Sequence, residues 1–139
     1  MELENVFSMA STIAAISWLV LAVTPLRWEW PAKAAGVATL VLAATYVALI
    51  VSFWSRGEGG FDSLSSVASL FEEPGLLLAG WVHYLAFDLL VGIWERGEAA
   101  RLRIHRLALV PCFFLTFMFG PAGWLSFMAV RHYKEASTS

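Results

Sequence analysis

Charged side chains are scarce in this chain: Asp, Glu, Lys and Arg together make 14% of it, against about a quarter in an ordinary soluble domain. There is one cysteine, Cys112, which excludes an intrachain disulfide and a cysteine-based metal framework. Basic excess is missing too. The formal net charge is −2, and the few arginines never interleave with exposed aromatics as a nucleic-acid groove requires, so no nucleic-acid partner is expected. The leading MELE is acidic where a cleavable signal peptide needs positive charge, and the apolar block behind it is too long for a signal core. No internal repeat and no low-complexity segment is visible.

What fills the chain instead is hydrocarbon. Hydrophobic residues make 59% of its 139 residues, and the mean hydropathy is +0.69. They come in four blocks, at about 5–26, 34–55, 76–94 and 107–130. The first, second and fourth carry no charge over about twenty positions, the length a helix needs to cross about 30 Å of lipid. The expected fold is therefore an all-α integral membrane protein: a single-domain, multi-pass bundle of four transmembrane helices. With four spans, the amino end, the second loop and the carboxyl tail share one side, which carries Arg56, Arg131 and Lys134. The other side carries Arg27, Lys33, Arg96, Arg101, Arg103 and Arg106, and the positive-inside rule turns it toward the cytoplasm or its equivalent.

Between the blocks the punctuation is legible. RWEWPAK is an interfacial turn whose Trp28 and Trp30 suit the headgroup region. The second block is rich in small residues, including Ala35, Gly36, Ala38, Ala43 and Ala44, which allow close helix approach. FDSLSSVASLFEEPG spaces Phe61, Leu64, Val67 or Ala68, and Phe71 as on one helix face, so a short interfacial amphipathic helix is expected between helices 2 and 3, capped by Asp62 or Ser63, an ordered loop being the alternative. In the fourth block Gly120-Pro121 should kink or break the helix and free carbonyls near Phe117. The tail HYKEASTS is expected to fray.

The third block, GWVHYLAFDLLVGIWERGE, holds His83, Tyr84 and Asp88 where lipid favours carbon. With the helix centred near Leu85, both His83 and Asp88 are deep. An aspartate at that depth costs about 2.5–3.5 kcal/mol and needs a partner or a proton. Helical geometry puts Trp81, Tyr84, Asp88, Gly92 and Glu95 on one stripe, expected to face the bundle with Gly92 leaving it open. His83 falls on the flank. Asp88 as helix–helix glue is the plain alternative to a functional role. Glu95 and Arg96 read as a solvated interfacial pair, and Arg131 as snorkelling, with pairing to a carboxylate as its alternative. His105 and His132 sit at interfaces without metal-ligand spacing; no metal and no cofactor is expected, a haem held by two of the three histidines being the lesser alternative.

GWVHYLAFDLLVGIWERGEA together with PCFFLTFMFGPAGWLSFMAVR resembles the abscisic-acid-deficient-four-like (neoxanthin synthase-like) family of small membrane proteins. The resemblance is close over about 63–131 and looser elsewhere, where LFEEPGLLLAGW and FSMAS agree. It implies an isomerisation of a carotenoid or other isoprenoid lipid, in which an epoxide opens to an alcohol as a vinylic proton leaves and an allene forms. That reaction needs an acid and a base in a water-free site. The residues it points to are Asp88 as acid, His83 as base and Tyr84 as a donor to the epoxide oxygen, with the first two roles open to exchange. Trp81, Phe87, Gly92, Thr116, Gly120 and Pro121 are expected to line the substrate cleft. The alternative is a non-catalytic protein that binds carotenoid or serves as a small accessory subunit of a larger membrane complex, with a homo-oligomer also open. A bacterial inner membrane or a plastid-type membrane is the expected location.

Overall fold

The computed structural model describes residues 2–139, which form helices and, among the described residues, no strand. Helix α1 spans Leu3–Val23, α2 Trp30–Phe53, α3 Leu64–Leu70, α4 Pro74–Leu102, α5 Arg106–Phe119 and α6 Pro121–Thr138. Three of them, α1, α2 with its terminal 3-10 turn, and α4, are long and apolar enough to cross a membrane.

Local chemistry sets most boundaries. Helix α1 stops where Pro25 follows Thr24, whose hydroxyl turns back to the Val20 carbonyl over 2.6 Å. Helix α2 starts with Trp30-Pro31, proline being tolerated in a first turn because its missing N–H has no helical partner there. Ser63 caps α3, accepting from the Ser66 amide at 3.1 Å. The short helix expected in this stretch is present; its Leu64 points away from the protein and its Leu70 is buried. Glu73 and Pro74 then open α4 directly.

Two expectations need correction. The third block does not end at Trp94: α4 continues to Leu102, because ERGEAARL consists mostly of good helix formers and its charges find partners inside the protein. Its midpoint is consequently Asp88, not Leu85. The fourth block is not one helix either. Pro121 cannot continue α5, and Gly120 takes a positive φ (38°, ψ −93°) that a side chain would resist. The chain reverses there. A Cβ on Gly123 would collide with the backbone of Thr116, whereas seven residues of continuous helix would separate them by about 10.5 Å.

Helices α5 and α6 are therefore a hairpin. Arg106, opening α5, donates to the Ala22 carbonyl at the end of α1. Thr116 meets Glu95 about two turns beyond the middle of α4, and Gly120 lies against Asp88 at that middle. Helix α6 then retraces the path: Phe127 packs on Trp94, Arg131 pairs with Glu98 at 3.0 Å, and Glu135 reaches Arg101 at 3.8 Å. Arg131 does not snorkel, and the tail expected to fray is helical through Thr138. Both ends of the hairpin lie beside the C-terminus of α4.

The start of α1 and the end of α6 thus lie at opposite ends of the bundle. At the end where α6 finishes, here the arginine end, stand Arg27, Lys33, Arg96, Arg101, Arg103, Arg106, Arg131 and Lys134, eight of the nine cationic residues. Only Arg56 lies at the other end. Helix α4 is the centre of the bundle, with α1, α2, α5 and α6 packed around it.

Candidate functional site

Two sites flank α4. The first is the polar stripe Tyr84, Asp88 and Glu95, which faces the hairpin. Glu95 is fully buried and accepts the Thr116 hydroxyl, with oxygens at 2.9 and 3.1 Å. The same hydroxyl lies 2.9 Å from the Cys112 carbonyl, so one hydrogen serves competing acceptors. Asp88 is 9% exposed, its Oδ1 faces Gly120, and its Oδ2 is buried without a hydrogen-bond partner among the described residues. Tyr84 donates to the Met118 carbonyl at 2.7 Å and approaches that of Phe117 at 3.1 Å. The carbonyls freed near Phe117 by the Gly-Pro break are thus engaged by a residue of the stripe.

Glu95 and Arg96 are not a solvated pair. Arg96 is 2% exposed and points to another helix, since consecutive residues diverge by about 100°. Its Nη1 donates to the Leu21 carbonyl at 2.6 Å and the Thr24 carbonyl at 3.2 Å; its Nη2 donates to those of Pro25 at 2.6 Å and Trp28 at 3.3 Å. Leu21 belongs to the last turn of α1 and the others follow it, where carbonyls lack helical partners. A positive group there also complements the helix dipole.

The second site lies across α4. His83 is exposed, five residues from Asp88 and about 140° around the helix. Its ring stacks on Phe87 at 4.7 Å and meets Tyr46 of α2 at 5.4 Å between centroids. His83 and Tyr46 border a groove of about 400 Å³ between α2, α3 and α4, walled by Trp54, Phe61, Leu70 and Phe71. The groove is open on one side and mostly apolar.

The remaining candidates divide between these surroundings. Trp81 turns outward, donating to the Ser11 hydroxyl at 3.0 Å, although its ring still stacks on Tyr84. Gly92 does not leave the stripe open: a Cβ there would overlap the ring of Trp18, which occupies the space and packs on Phe113. Thr116 and Gly120 join the stripe; Phe87 joins His83; Pro121 is exposed on the hairpin tip. Asp88 and His83 are not brought into one cavity. Tyr46 is absent from the sequence reading, since nothing local to it announces a role, and Arg96 reads there as solvated. Among the described residues no three His, Cys, Asp or Glu side chains converge as a metal would require.

An all-helical protein with three helices long and apolar enough for a membrane, and with two carboxyl side chains buried against a broken hairpin, is the class this structure defines. The chain belongs to the ABA DEFICIENT 4-like family, whose model matches residues 5–127. No curated protein and no solved structure matches the chain.

Proposed function

We propose that the chain is a membrane-embedded isomerase of a carotenoid or related isoprenoid lipid, working by acid–base chemistry. The observation that carries the reading is the lateral groove that joins aromatic walls to an imidazole and a phenol. An epoxide isomerisation conserves every atom: a C–O bond breaks, a vinylic C–H gives up its proton, and the oxygen gains one. It needs one donor and one acceptor of protons near a common substrate.

His83 and Tyr46 meet that condition, with the imidazole as base and the phenol as donor. The volume of about 400 Å³ suits one end ring of a polyene, the rest of which would lie along the lipid-facing side. Asp88 and Tyr84 face the hairpin, where one carboxyl oxygen is without a partner among the described residues, and neither residue lines the aromatic groove. In this reading they act through the shape of α4, and Asp88 as the acid is the competing assignment.

The three long helices would cross the bilayer, α3 would lie on its surface, and α5–α6 would enter from the arginine end and return. The charge distribution favours that end facing the cytoplasm or its equivalent, in a bacterial inner membrane or plastid-type membrane.

The test is the full chain reconstituted in liposomes loaded with an epoxidised carotenoid, with pigments separated by chromatography. A product of unchanged mass should form, and His83→Ala and Tyr46→Phe should abolish it. Loss in Asp88→Asn alone would move the acid to the hairpin side. Unchanged pigment with the wild-type chain would end the enzymatic reading. It would favour a binding or accessory subunit, which the engagement of Tyr84 and Glu95 in helix–helix hydrogen bonds also supports.

A further inference from the structure

The arginine end carries a cleft that neither the stripe nor the aromatic groove uses. It lies between the α1–α2 and α4–α5 connections, has a volume of about 430 Å³, and is lined by Arg27, Arg103, His105 and Arg106 over Pro25 and Ile104. Arg96 lies behind it, bonded to the carbonyls of Leu21, Thr24, Pro25 and Trp28 and to no carboxylate.

Three arginines therefore line one cleft, with a fourth buried behind it, and none of them has a counter-charge. Among the described residues none of Arg27, Arg96, Arg103 and Arg106 makes an ion pair. The carboxylates at this end are engaged elsewhere: Glu29 with Lys33 at 3.1 Å, Glu98 with Arg101 and Arg131, and Glu135 with Arg131. Arg27, Arg103 and Arg106 are exposed while Arg96 is buried behind them; like charges gathered along one cleft raise its potential, and a bound anion lowers it.

Arg103 adds an independent observation. It closes α4 in the left-handed conformation (φ 54°, ψ 42°) and is the one non-glycine residue with positive φ among those described. Glycine is the residue that packing alone favours at such a helix end, because a Cβ is strained there. The strain is borne by a side chain that lines the cleft. Trp28 and Trp30, their rings 6.4 Å apart, flank the same connection, and such rings belong at headgroup depth.

We propose that this cleft binds a phosphate-bearing anion, its position favouring the headgroup diester of an anionic phospholipid as the source. Arginine suits such a ligand, because its planar fork meets phosphate oxygens in pairs and it does not lose its charge. The site stands apart from the isomerase reading and does not depend on it.

The experiment uses the full chain in a neutral detergent, titrated with phosphatidylglycerol, phosphatidylcholine or inorganic phosphate. Bound lipid is read by native mass spectrometry and stabilisation by the thermal midpoint. Phosphatidylglycerol should be retained and raise the midpoint, and phosphatidylcholine should do neither. The double variant Arg27→Gln/Arg103→Gly should bind about thirtyfold more weakly, the loss expected for two interfacial cations. Glycine at 103 keeps the left-handed turn, so lost binding with an undiminished apo midpoint reads the charge alone. Arg56→Gln, at the opposite end, should match wild type. Inorganic phosphate that binds and displaces the lipid supports the phosphate site; binding of phosphate without retention of lipid supports it with the soluble anion as source. Equal binding of the two lipids with no effect of phosphate overturns the proposal, as does full binding by the double variant.

Discussion

The Tyr84 hydroxyl on α4 donates to the Met118 carbonyl on α5 across 2.7 Å. Met118 is in the last turn of α5, whose carbonyls have no partner within the helix, so α4 supplies a cap to a helix it does not belong to. Arg96 does the same for α1 from about three turns further along. Both broken ends of the fold are thus closed by side chains from its central helix.

Removing the hydroxyl tests the first cap. Tyr84→Phe keeps the ring that stacks on Trp81 at 5.5 Å and leaves the carbonyls of Phe117 and Met118 unpaired. The expected loss is about 1–3 kcal/mol in reversible unfolding. Hydrogen exchange at the amides flanking Gly120 should quicken while α2 stays protected. Uniform quickening along the whole chain would argue that Tyr84 serves general packing.

Gly120→Ala should destabilise for two separable reasons. The positive φ costs a side chain about 1–2 kcal/mol. The new Cβ would also stand 2.6 Å from the Asp88 Oδ1. A double-mutant cycle with Asp88→Ala divides these contributions, because the truncated partner removes the collision and leaves the backbone strain. Strict additivity in the cycle would mean that the hairpin tip does not rest on Asp88.

Arg96→Leu leaves a shorter apolar side chain and takes away the donors to four carbonyls. Losing charge-assisted bonds in a buried position should cost roughly 3–5 kcal/mol, even though the buried charge also disappears. Arg96→Lys should recover part of this, since an ammonium reaches fewer acceptors from one point. A thermal midpoint that is the same for leucine and arginine would show that the end of α1 holds without the cap.

The sequence made the long apolar helices legible, and with them the Gly120-Pro121 break, the Ser63 cap and the inward turn of Tyr84 and Asp88. Each depends on neighbours within a few positions. Glu95 and Arg96 misled because a local cluster of charge reads as an exit into water, and the groups that satisfy them come from Thr116 and from the stretch between Leu21 and Trp28. The reversal at Gly120 was hidden for a related reason. A glycine before proline marks a break, but the angle is set by where α4 offers a hydroxyl and a gap. His83 was legible as a flank residue; that its neighbour is Tyr46 depends on how α2 lies on α4.

The hairpin makes its own prediction about sidedness. In a bundle of four straight spans the carboxyl tail would emerge on the same side as the amino end, whereas here α6 returns beside the C-terminus of α4, as the pairing of Arg131 with Glu98 requires. Replacing the single native thiol by Cys112→Ser gives a background for placing one cysteine at a time, at Glu58, Lys33 or Ser137, in sealed vesicles with a membrane-impermeant maleimide. Ser137→Cys should label with Lys33→Cys and be protected when Glu58→Cys is labelled, or the reverse if the vesicles are inverted. The end that carries Lys33 should be the cytoplasmic one in intact cells, since eight of the nine cationic residues lie there. A tail that labels together with Glu58→Cys would require α5 and α6 to straighten into a fourth span. That would separate Gly120 from Asp88, leave Glu98 without its Arg131 partner, and remove the hairpin against which the polar stripe is built.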